Sequence, residues 1–172
     1  MIRLNDLLTE ITFGNTQPYA TQFVWEETWA DRLWQTGFTH EGIEVRFDIS
    51  EFYHDPGNYA FAITTKSTRG WTLSHDRSHS RGALSYPRIL LTAFEAIVDF
   101  INTHAPKAID ITGSDPEGSI SAQKTRIYQA LLSSNSAKLA TIGYRVLPRG
   151  GKLWLVRNIE ADSTGIADQV RT

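Results

Sequence analysis

The stretch "GIEVRFDISEFYHDPGNYAFAITT", residues 42–65, decides the fold. Ile43, Val45, Phe47 and Ile49 alternate with Glu44, Arg46 and Asp48. A period of two sends one set of side chains into a core and the other into water, so this is a strand. "HDPGN" (54–58) follows, where proline presets φ and glycine tolerates positive φ, the chemistry of a tight turn. "YAFAITT" (59–65) is apolar on both sides, as an inner strand requires. The two strands and their turn make an antiparallel hairpin.

Working downstream, "GWTLS" (70–74) reads as a third, short strand, and "HDRSHSRGALSYP" (75–87) as an irregular polar segment. "PRILLTAFEAIVDFINTHAP" (87–106) is a helix, with Pro87 suited to its first turn and Pro106 at its end. Leu90, Phe94, Ile97 and Ile101 form one apolar stripe, and Ile89, Ala93, Ala96 and Phe100 a second beside it. A helix apolar over so much of its surface packs on a sheet. "KAIDIT" (107–112) is a short internal strand and "GSDPEGS" (113–119) a loop. "ISAQKTRIYQALLSSNSAKLA" (120–140) is a second helix, with Ser119 or Ser121 as its N-cap. "GYRVLP" (143–148) and "KLWLVRN" (152–158) are strands joined through "RGG".

Working upstream, "IRLNDLLTEI" places Leu4, Leu7, Leu8 and Ile11 at helical spacing. In "FVWEETWADRLW" (23–34), Trp25, Trp29 and Leu33 fit one helical face, although the aromatic content also suits a strand. Residues 1–40 therefore read as a helical and aromatic segment, 42–158 as the core, and 159–172 as a loosely held tail. The fold class is α+β: a single domain with a mixed, mostly antiparallel sheet and packed helices. A helix lies on each face of the sheet, or both lie on one. Only the strand after the first long helix suits a parallel crossover.

The bulk composition narrows the function. The 172 residues have 41% hydrophobic and 21% charged side chains, ordinary for one globular domain. A net charge of −2 argues against a dedicated nucleic-acid binder, which carries a basic excess. With no cysteine there is no disulfide, zinc–thiolate site or cysteine nucleophile. No stretch is long and apolar enough to span a membrane, and a cytoplasmic protein is the expectation.

The element order from 42 to 158 resembles the GCN5-related N-acetyltransferase (GNAT) family. The residues that carry the resemblance are the strand "AIDIT", the tyrosine of "RIY", Gly143-Tyr144 in place of a Gly-Phe pair, and the last strand "LWLV". The spacing "RIYQALL…GY" is also similar to that of small proteins encoded by tailed bacteriophages. The resemblance implies acetyl-CoA as cofactor and Tyr128 as the general acid that protonates the departing thiolate. It places Arg81, Gly82, Arg88 and Ser121 near the cofactor. The family's Arg/Gln-x-x-Gly-x-Gly/Ala segment holds the pyrophosphate on backbone N–H groups at a helix N-terminus. Here the matching "SRGALSYPRIL" keeps Arg81 and Gly82 but not the second and third glycines. Pro87 removes one donor, and Ser121 stands where the family has asparagine.

The other polar clusters divide between chemistry and surface. "SHDRSHSRG" contains His75, Asp76, Arg77, His79 and Arg81; its arginines suit an anion, held by Arg77, Arg81 and Arg88, better than a metal ion. His54 and Asp55 read as a plain hairpin turn. Trp25, Trp29 and Trp34 form either a partner-binding face or an element packed on the sheet. The preferred reading is a phage-encoded GNAT-like scaffold, without cofactor or metal, that engages a host or phage protein as a binding, anti-defence or virion-associated factor. The alternative is a divergent acyl-CoA-dependent N-acyltransferase.

Overall fold

A computed structural model of the chain describes residues 16–28, 32–67, 70–73, 86–111 and 118–158. In chain order the elements are β1 (Glu26–Thr28), β2 (Leu33–His40), β3 (Ile43–Glu51), β4 (Asn58–Ser67), β5 (Gly70–Leu73), α1 (Tyr86–His104), β6 (Ala108–Asp110), α2 (Gly118–Ser134), α3 (Ser136–Thr141), β7 (Tyr144–Arg149) and β8 (Lys152–Arg157). The strands form one sheet in the order β1-β2-β3-β4-β6-β8-β7, with β5 also paired to β4. All pairings are antiparallel except β4 with β6, which are parallel and joined through α1. The α+β class and the mixed, mostly antiparallel sheet stand as the sequence patterns indicate.

The central hairpin follows its pattern residue by residue. Phe47 faces Ile63 and Ile49 faces Phe61 across the β3–β4 ladder. Val45, Phe47, Ile49, Tyr59, Phe61 and Ile63 are all buried. On β6, β8 and β7 the same face carries Ile109, Leu155 and Val146, which lie in register. The two stripes of α1 and the buried residues Ile127, Tyr128, Leu131 and Leu132 of α2 belong to the same cluster. Every strand residue of that cluster lies on this one face, so the helices share it. The opposite face carries Arg46, Asp48, Ala60, Ala62, Asp110, Lys152 and Trp154. The β7–β8 loop is Gly150 and Gly151 at φ 61° and 74°. Two successive positive φ values are what a two-residue hairpin needs to match the strand twist.

Three expectations need correction. The helix read over 23–34 is instead β1 and the start of β2. On β2 the core side runs Trp34, Thr36, Phe38, His40, and the alternation is hidden because two of these four residues are polar. The single helix read over 120–140 is two. Asn135 interrupts it, with its side-chain amide donating to the Leu131 carbonyl. In the "SSNS" run, side chains compete with the backbone for hydrogen bonds, which favours a break. Helix α2 begins at Gly118, so Ser119 and Ser121 fall within its first turn and are not its cap. The helix read at 2–11 and the tail 159–172 lie outside the described residues.

Candidate functional site

Tyr128 sits eleven residues into α2, a turn and a half before its end. It is 3% exposed and belongs to the core cluster with Ile127, Leu131, Leu132 and Leu139. Helix α3 intervenes between α2 and the Gly143-Tyr144 pair. Gly143 itself, at φ 81°, turns the chain from α3 into β7.

Arg88, on the first turn of α1, has its guanidinium engaged within the chain. Nε donates to the Gln17 carbonyl at 3.1 Å, and the group lies 4.0 Å from the Tyr19 ring centroid. The backbone N–H of Tyr19 donates to Thr92 Oγ1 at 2.8 Å. Arg88 therefore clamps residues 17–19 onto α1. Ser121 lies in α2, with its side chain outside what is described. Arg77, Arg81, Gly82 and Trp29 lie outside the described residues. Arg88 is thus the one cofactor-assigned residue whose side chain the structure describes, and two of its guanidinium nitrogens donate to the Gln17 and Pro18 carbonyls.

Trp25 and Trp34 come together on α1. Trp25 Nε1 donates to Asp99 Oδ2 at 2.8 Å, and its ring meets Phe100 edge-on at 5.2 Å. Trp34 meets Tyr59, Phe100 and His104, each edge-on. These contacts seat β1 and β2 on the helix. His54 and Asp55 lie in the exposed β3–β4 turn, where Asp55 N–H donates to the Phe52 carbonyl. Among the described residues no group of three His, Asp or Glu is placed to hold a metal ion. No helix among them is long and apolar enough to cross a membrane.

One functional candidate escaped the sequence reading. Asp110, in the middle of the sheet on β6, is fully buried, and Lys152 Nζ reaches its Oδ2 at 2.7 Å. The signal was available: an aspartate inside the apolar run "AIDI". A carboxylate in such a place must be paired or hydrogen-bonded. The parallel β4–β6 ladder ends here, at Ala60 and Asp110, while β4 continues to Ser67. Beside this pair, Trp154 packs on Phe52 with ring centroids 6.0 Å apart.

Two tyrosines have raised pKa values. Burial lifts Tyr144, against a smaller lowering by Arg157, and its hydroxyl donates to the Pro106 carbonyl. Burial also lifts Tyr59, with the Glu51 carboxylate adding to it. At the other end of the sheet an open cleft of about 510 Å³ runs along β2, between Gln22, Val24 and Glu26 on one side and Gly37, Phe38 and Arg46 on the other.

No family model matches the chain, and no curated protein or solved structure matches it either.

Proposed function

We propose that this protein is a binding factor built on a GNAT-like scaffold, of the kind tailed bacteriophages encode, and that it works without acyl-CoA chemistry. Support for the scaffold comes from the element order on which the resemblance rests, which runs from β3 to β8 in the same sequence apart from the added α3. The observation that carries the functional reading is the burial of Tyr128. A general acid must come within hydrogen-bond reach of the leaving group. The 3% exposure of Tyr128, beside Ile127, Leu131 and Leu132, supports the reading of a core ring. The engagement of Arg88 by residues 17–19 adds to this. Such a protein acts by engaging a host or phage protein.

Calorimetric titration of acetyl-CoA and CoA into the full chain tests the reading. The expected result is no binding at millimolar ligand. Micromolar binding that is lost in Arg81→Ala, with turnover that is lost in Tyr128→Phe, would establish the acyltransferase instead.

A further inference from the structure

The sheet is electrically polarised along its width. Residues 26–51, which contain β1 to β3, hold seven acids and two arginines. Residues 142–158, which contain β7 and β8, hold Arg145, Arg149, Lys152 and Arg157 and no acid. The register of the β7–β8 hairpin sorts these cations. Arg145 faces Val156, Leu147 faces Trp154, and Arg149 faces Lys152. Partners across an antiparallel ladder share a face, so these six residues form one surface, on the side away from the helices. Arg145, Leu147 and Arg149 are exposed, Leu147 at 37%.

Arg145 and Arg149 form no side-chain hydrogen bond or ion pair among the described residues. Lys152 is held against Asp110, which fixes its direction and leaves it 42% exposed. Trp154 is braced by Phe52 on one side. The surface therefore has a small apolar centre of Leu147, Trp154 and Val156 with cations around it. An apolar centre with tryptophan and arginine is the composition of an interface hot spot, and the cationic rim selects partners of opposite charge.

We propose that the outer face of the β7–β8 hairpin is the docking surface, and that its partner is an acidic protein segment carrying an aliphatic side chain. This rests on the binding reading above and names the partner's chemistry. The apolar centre is aliphatic around a single braced tryptophan. That suits a Leu-bearing acidic peptide better than a row of stacked bases, which needs several free aromatic faces.

The test is an amide-resolved NMR titration of the full chain with a peptide of alternating glutamate and leucine. A peptide with glutamine for glutamate and an oligothymidylate serve as comparison probes. The acidic peptide is expected to move the Arg145–Arg149 amides and the Trp154 indole N–H, and high salt to suppress the shifts. In the double variant R145E/R149E the affinity is expected to fall by at least about tenfold. Both arginines are exposed and pair with none of the described residues, so the variant should keep a dispersed, folded spectrum. An unmoved hairpin, or a glutamine peptide that binds as well, overturns the proposal. Oligothymidylate binding this face more tightly than the acidic peptide also overturns it and assigns the face to nucleic acid. Acetyl-CoA titrated into the same sample reads the functional proposal separately, since its shifts would report on different residues.

Discussion

Phe100 is the residue on which the N-terminal strands are seated, and removing its ring tests the packing argument directly. It is fully buried on α1. Its ring meets Trp25 at 5.2 Å, Trp34 at 5.8 Å and Tyr59 at 5.4 Å, all edge-on, and stacks on His104 at 4.1 Å. Phe100→Ala loses the transfer free energy of the ring and leaves a cavity, which costs about 3–5 kcal/mol in well-packed cores. Four aromatic neighbours place it in the upper part of that range, because ring pairs contribute beyond their buried area. At about 2–4 °C per kcal/mol for a chain of this size, Tm should fall by roughly 10–15 °C. Phe100→Leu keeps most of the volume and should cost about 1–2 kcal/mol. Urea unfolding followed by tryptophan fluorescence and by far-ultraviolet circular dichroism measures both. Trp25 and Trp34 border the cavity, so the native emission of Phe100→Ala should shift to the red. A cost below about 1 kcal/mol with unchanged emission would refute the reasoning. It would mean that β1 and β2 do not rest on α1, and the helical reading of residues 23–34 would return.

Replacing Lys152 with Met removes the ammonium that meets the buried Asp110 carboxylate at 2.7 Å. Breaking a fully buried pair from one side costs about 3–5 kcal/mol, and the partial exposure of Lys152 brings the expected loss to about 2–3 kcal/mol. Adding Asp110→Asn should recover part of that loss in chemical denaturation, and a double variant no more stable than Lys152→Met alone would sink the argument. Tyr59 and Tyr144 hold their protons more tightly folded than unfolded, so stability is complete below the unfolded value of 10.0. It is lost as pH rises past that value, because the unfolded chain then releases protons that the native state retains. Tyrosinate absorbance should show Tyr59 and Tyr144 ionising late, and Tyr144→Phe should flatten the alkaline loss of stability.

Apart from the break between α2 and α3, the elements from β3 to β8 were legible, the longer ones because each carries its own periodicity. Ile43 to Ile49 alternate cleanly, the apolar residues of α1 recur at helical spacing, and the glycine pair at 150–151 marks its hairpin. Strand β2 was not legible, since Thr36 and His40 occupy core-facing positions. Their place is set by Phe47 across the ladder and by the Tyr19 ring against His40, both distant in sequence. The break at Asn135 had a local signal in "SSNS", but propensity alone ranks it below the apolar pattern on either side.

The candidate site divides in the same way. Sequence alone determined the fold class, the hairpins and the absence of cysteine chemistry, because these depend on local pattern and composition. Only the tertiary structure decided that Tyr128 points into the core, and that Arg88 closes on Gln17 and Tyr19. It also decided that Asp110 meets Lys152, 42 residues away. These facts depend on which face of each element is covered, and that is settled by long-range packing, to which no single stretch of the chain has access.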